Sequence, residues 1–178
     1  MTGSGTAPGR RPDGIILIGM AGAGKSTVGR CLATILDRPF IDTDSLIEQE
    51  AGTSLQDIIA RGGTGWFRLL EEKVLLRQEP AGKVIATGGS AVYSSRGMNH
   101  LRQGGIIVFL DVEPSMLLRR IHNLDSRGMV RQPEQSFYDL HRERLPLYRR
   151  YADHILACGD MRVQEVCHLL VRLLQEGS

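Results

Sequence analysis

The chain has 178 residues, 42% hydrophobic and 24% charged, with a formal net charge of +2. That is enough for one packed domain, and the near-balanced charge argues against a nucleic-acid partner, which calls for a basic stripe. The apolar runs are only four or five residues long, far below the roughly 20 that cross a bilayer, so no membrane association is expected.

Residues 1–13, MTGSGTAPGRRPD, contain no apolar run and are expected to form a disordered tail without signal-peptide character. One domain is expected over 14–178. Ile15–Ile18 form an unbroken apolar run, which predicts a buried strand, and a helix is predicted from about Lys25 to Leu36. RPFID predicts a second strand ending at Asp42. DSLIEQEAG and SLQDIIARG predict two short helices, each closed by a glycine. TGWFRLLEEKVLLRQ places Phe67, Leu70, Val74 and Leu75 on one helical face.

KVIATGG predicts a third strand running into a glycine loop, and GIIVFLDVEPS a fourth followed by a helix with Pro114 in its first turn. Residues 122–136 are polar, with Gly and Pro, and are expected to be a mobile lid. A helix through Tyr148, a short strand in HILAC and a terminal helix striped by Val163, Val166, Cys167, Leu170 and Leu174 complete the pattern. Cys31, Cys158 and Cys167 have no CxxC spacing and read as reduced thiols of a cytoplasmic protein. Alternating strands and helices predict an α/β fold: a central parallel sheet between two helical layers, with ligands beyond the carboxyl ends of the strands.

Three polar features fall at those ends. The first, GMAGAGKS, fits G-x-x-x-x-G-K-[ST] between a strand and a helix. Bare backbone there lets consecutive amides turn inward on a phosphate, with the helix N-terminus behind them. Gly19, Gly22, Ala23, Gly24, Lys25, Ser26 and Thr27 are therefore the expected cradle of a nucleoside triphosphate, taken as ATP. Lys25 is expected to reach the β- and γ-phosphates, and Ser26 to offer its oxygen to Mg²⁺. The second feature is Asp42 and Asp44, two apart, on one side of an extended chain. Two carboxylates there repel unless a cation separates them. Magnesium at Asp42, with Asp44 free to take a proton from an alcohol, resolves this; the competing role for either is a helix cap. The third is Gly88 and Gly89 after the third strand.

From residue 14 onward the chain resembles the shikimate kinase family, P-loop kinases with a nucleoside-monophosphate-kinase-like architecture. The resemblance rests on GMAGAGKSTVGR, FIDTDSLIE, WFRLLEE, VIATGGSAV, SRGMV and ERLPLYRRYAD. It implies that Asp42 helps hold magnesium and that Asp44 contacts the acceptor hydroxyls and serves as base. Arg68 and Arg144 are implied to clamp the acceptor carboxylate, with Gly88 and Gly89 lining its pocket. The lid residue Arg127 is implied to reach the transferring phosphate. The acceptor region is expected over about 43–78.

Two stretches depart from the family pattern. Gly88-Gly89-Ser90 stands where three glycines are usual, and RGMV where R-P-L-L is usual. Ser90 adds a side chain to a wall that glycine keeps bare, which predicts a smaller or more polar pocket. On that argument a hydroxyl-bearing carboxylate is the expected acceptor class, with homoserine narrowly preferred to shikimate. Asp44 or Glu71 would meet its ammonium. The competing class is a nucleotide-binding switch without an acceptor, which would not need Asp44, Arg68 and Arg144 together. A monomer is expected.

Overall fold

The computed structural model describes residues 13–121, 129–131 and 134–176. Arg127, most of the expected lid and the tail up to residue 12 lie outside the described residues. Ile15 to Ile18 are buried on both faces, as their unbroken apolar run requires, and form β1 (Gly14–Ile18). The chain then alternates through α1 (Lys25–Leu36), β2 (Phe40–Asp42), α2 (Thr43–Ala51), α3 (Leu55–Leu76), β3 (Val84–Ala86) and α4 (Ser95–Gly104). It continues through β4 (Gly105–Asp111), α5 (Pro114–Arg120), α6 (Phe137–Tyr151), β5 (His154–Ala157) and α7 (Val163–Glu176).

The five strands form one parallel sheet in the order β2-β3-β1-β4-β5. β1 lies at its centre, with Ile16 opposite Ile85 on one side and Ile107 on the other. Because the strands are parallel and β2, β3 and β1 are neighbours, the loops that follow them lie side by side at one edge of the sheet. Helices pack as pairs, α1 with α7 and α3 with α4, and the main apolar core lies between them and the strands. A smaller apolar cluster of Ile47, Leu55, Ile58, Phe67, Val74 and Val130 holds α2 and α3 together. Among the described residues no helix is long and apolar enough to cross a membrane.

The expected elements are present with four differences. α2 begins directly at Thr43, so Asp42 closes a strand while Asp44 stands in the first turn of a helix, and the two do not share one extended face. SLQDIIARG and TGWFRLLEEKVLLRQ are joined in α3 across a break at Gly63, whose φ of 76° and ψ of 171° are non-helical. α4 has no counterpart in the sequence reading: with two glycines and only Met98 and Leu101 apolar and buried, its stripe is short. Its start is fixed by the Ser94 side chain, which accepts the Gly97 amide at 2.9 Å. α6 runs on through Pro146 to Tyr151, three residues past the expected end.

Candidate active site

The loop between β1 and α1 is shaped by backbone that side chains would not tolerate. Gly22 and Gly24 have φ of 82° and 90°, in the left-handed region open to glycine. Gly24 is the N-cap of α1 and offers no side-chain cap, so the first amides of that helix stay available to an anion. Lys25 is buried, and its Nζ donates to the carbonyls of Gly19 (2.8 Å) and Met20 (2.9 Å). Burial pulls its pKa down to about 8, against the opposing pull of Asp44 and Asp42. Ala21 to Gly24 of this loop line a cleft of about 730 Å³ whose walls also include Asp44, Arg120 and Arg162.

Asp42 joins three elements. Its Oδ1 accepts the Asp44 and Ser45 amides at 3.1 and 3.3 Å, capping α2, and its Oδ2 accepts the Ser26 hydroxyl at 2.5 Å. The capping role weighed for the aspartate pair thus falls to Asp42, and Asp44 is left free to face the cleft. Asp44 is half-buried there. Desolvation pushes its pKa up to about 6, partly countered by Lys25 and reinforced by Asp42.

Beyond Asp44 lies a second, smaller cavity of about 40 Å³, lined by Asp44, Gly89, Ser90, Met129 and Arg144 among others. Arg144 is 2% exposed, so its charge is almost wholly withdrawn from water. One guanidinium nitrogen donates to the Val130 carbonyl at 2.5 Å, and Nε donates to the Tyr93 hydroxyl at 3.3 Å. The other terminal nitrogen lies 3.0 Å from where a side chain on Gly89 would begin. The loop that carries Gly88 and Gly89 is fixed from both sides. Thr43 Oγ1 accepts the Gly88 amide at 3.1 Å, and the Tyr148 hydroxyl donates to the Gly89 carbonyl at 2.7 Å. Tyr148 is itself stacked on Phe109, with ring centroids 4.9 Å apart.

Glu71 is buried behind this loop. Its Oε2 accepts the Ser90 hydroxyl at 2.6 Å, while Oε1 has no hydrogen-bond partner among the described residues. Burial, with the nearby Asp44 charge, pushes its pKa up to about 8. Asp44 Oδ1 and Glu71 Oε1 both lie 2.5 Å from where a Gly88 side chain would begin.

The structure therefore gathers Lys25, Ser26, Asp42 and Asp44 at the phosphate loop, and Asp44, Gly89 and Arg144 around the smaller cavity, with Gly88 next to it against Asp44 and Glu71. Arg68 does not line that cavity. It is exposed in an adjoining cleft with Val130 and Glu143, its guanidinium carbon 4.0 Å from the centroid of the Tyr93 ring. Thr43, Tyr93 and Tyr148 were not foreseen. Their roles depend on contacts between segments 45 to 59 residues apart in sequence, and no local motif signals them. Chemically, the arrangement offers a polyphosphate cradle, a carboxylate poised to take a proton, and a buried cation next to it.

A family model described as shikimate kinase matches residues 21–175. The chain is 37% identical to a shikimate kinase of Caldanaerobacter subterraneus over 161 residues, covering 89% of this chain and 94% of that one. It is 39% identical to a shikimate kinase of Symbiobacterium thermophilum over 171 residues, covering 91% and 96%. Among solved structures, a shikimate kinase from Acinetobacter baumannii in complex with shikimate superposes with a TM-score of 0.85 at 33% identity, covering 92% and 93%. These findings overturn the preference for homoserine: the relatives that match over most of the chain are shikimate kinases. The expectation of a more polar wall also fails, because the Ser90 hydroxyl is engaged by Glu71 instead of offering a new polar contact to an acceptor.

Proposed function

The chain belongs to the shikimate kinase family and is an ATP-dependent kinase of small molecules with a hydroxyl acceptor, and from that premise we propose that it phosphorylates shikimate. The observation that carries this reading is the pairing of Asp44 with the buried Arg144 guanidinium in one cavity that opens beside the phosphate loop. A carboxylate held by Arg144 places the rest of a small ring acid between that cation and Asp44. Binding exchanges the Val130 carbonyl on Arg144 for the acceptor carboxylate and widens the cavity. Its present 40 Å³ holds little more than water.

The amides of Gly22 to Thr27 hold the triphosphate, and Lys25 turns from the Gly19 and Met20 carbonyls to its terminal phosphates. Ser26 Oγ and Asp42 Oδ2, hard oxygens 2.5 Å apart, suit Mg²⁺, which needs only one or two protein oxygens beside phosphate and water. When bound there, the ion supplies charge neutralisation between the β- and γ-phosphates. Asp44 accepts the proton of the attacking hydroxyl. Gly88 and Gly89 keep the pocket wall bare, Arg68 adds the second cation of the carboxylate clamp, and Arg127 meets the migrating phosphoryl group. The transition state is loose, so positioning and charge carry most of the rate. We place the enzyme in the cytoplasm as a monomer, where its three free cysteines remain reduced.

The test is ADP release by the purified chain with MgATP, with and without shikimate, and identification of the product by phosphorus NMR. Shikimate-dependent turnover with a new phosphate ester is expected. Slow hydrolysis indifferent to shikimate would overturn the proposal and favour a nucleotide switch.

A further inference from the structure

Tyr93 ends the 3₁₀ turn Ala91–Tyr93, directly beyond the Gly88-Gly89-Ser90 loop, and both arginines assigned to the acceptor converge on it. The Arg68 guanidinium carbon lies 4.0 Å from the centroid of its ring and that of Arg144 lies 5.3 Å from it. The Tyr93 hydroxyl accepts from Arg144 Nε at 3.3 Å and donates to Glu143 Oε1. That hydrogen bond, with Gln135 and the two arginine charges, keeps the Glu143 carboxyl below its ordinary range and hence anionic.

Two guanidinium groups brought to one place repel each other. The negative face of an aromatic ring and one carboxylate at its edge are what can hold them there. The geometry leaves Arg68 usable, because a guanidinium held over a ring keeps N–H donors free to fork onto a carboxylate. Arg144 keeps the terminal nitrogen that faces Gly89, its Nε and other terminal nitrogen being held by the Tyr93 hydroxyl and the Val130 carbonyl. Arg68 needs this support most, because it is exposed and has a long side chain that would otherwise sample solvent.

We propose that Tyr93 is a positioning residue for acceptor binding: its ring carries Arg68 and its hydroxyl accepts from Arg144, so that both guanidinium groups are held at one residue to receive the acceptor carboxylate. The proposal rests on the reading of those two arginines as the carboxylate clamp. Tyr93 touches neither the reacting hydroxyl nor the nucleotide, so its loss acts on the acceptor KM.

Kinetics of Tyr93→Leu and Tyr93→Phe test this. Tyr93→Leu removes the ring face and is expected to raise the shikimate KM by about 5- to 30-fold, with a smaller effect on kcat and none on nucleotide affinity. Tyr93→Phe keeps the face and should recover most of that loss. An unchanged shikimate KM in Tyr93→Leu would overturn the proposal. So would a parallel loss of shikimate and nucleotide affinity with a lowered Tm, which marks a purely structural residue. A second readout is independent of turnover. In NMR spectra the Arg68 side-chain N–H should carry a ring-current shift that disappears in Tyr93→Leu and persists in Tyr93→Phe. If the wild-type chain fails to phosphorylate shikimate, the functional reading falls while this shift still decides the platform; its absence from the wild-type spectrum sinks the proposal.

Discussion

The Ser90 hydroxyl lies 2.6 Å from Glu71 Oε2, and the other oxygen of the same buried carboxyl has no hydrogen-bond partner among the described residues. One hydrogen bond therefore serves a group that would take several in water, and the neutral acid is the form that suits the site.

Stability should carry the mark of that acid. A glutamate ionises near 4.5 in the unfolded chain and near 8 here. Between those values the folded protein holds the extra proton, so stability falls as pH rises from about 5 to 8. Glu71→Gln keeps an acceptor for Ser90 and removes the titration. Urea unfolding at several pH values should show the wild type losing about 2–5 kcal/mol across that interval and the variant losing less. Equal pH slopes for the two proteins would mean that Glu71 is already ionised and solvated.

Lys25 makes a matching prediction for ligand binding. Its pKa is held near 8 by burial, and its ammonium is met only by two carbonyls and distant carboxylates. A polyphosphate returns that pKa toward its ordinary value, so at pH 8 nucleotide binding should take up about half a proton. Calorimetry in buffers of different ionisation enthalpy measures this directly. Proton release, or uptake that persists in Lys25→Met, would assign the linkage elsewhere.

Much of this site was legible before the structure because its parts are local. The phosphate loop is a contiguous motif whose glycines, lysine and serine sit at fixed spacing, and the apolar run before it could only be a buried strand. Asp42 and Asp44 were legible as a pair but not as individuals. Their division of labour depends on where α2 starts, and Thr43 begins it one residue before Asp44. Tyr93 and Tyr148 were not legible at all, since each acts on a partner more than 50 residues away. Ser90 is legible in the sequence as a departure from a bare wall, but what its hydroxyl does is not. A hydroxyl added to a wall counts toward a ligand only if no buried group claims it first, and Glu71 does.

In the proposed mechanism Asp44 sets the acid limb of catalysis. Burial and the Asp42 charge hold its carboxyl near 6, above the ordinary carboxylate range. On the proposal that its ionised form accepts the acceptor's proton, kcat/KM should be full above that pH and fall as pH drops through about 6. Asp44→Asn should remove the limb and lower kcat by about 10²–10⁴ while nucleotide binding, measured by calorimetry, is retained. Turnover that survives the substitution would leave Asp44 as a ligand contact and return the proton to solvent.

Gly88 tests whether the space between the two carboxyls belongs to the acceptor. A side chain there would begin 2.5 Å from both Asp44 Oδ1 and Glu71 Oε1, closer than real contacts allow, and Glu71 is buried. Gly88→Ala must push Asp44 toward the phosphate loop or Glu71 deeper into the core, at a cost of about 1–3 kcal/mol as in other overpacked interiors. Both routes spoil the acceptor side and spare the cradle, because the phosphate-binding amides and Lys25 belong to a separate loop. The expected result is a lower midpoint in urea, a raised shikimate KM and an unchanged nucleotide Kd. Wild-type shikimate kinetics in a folded Gly88→Ala enzyme would show that the acceptor hydroxyl never enters that space, and the proton acceptor would then have to be sought on another face of the cavity.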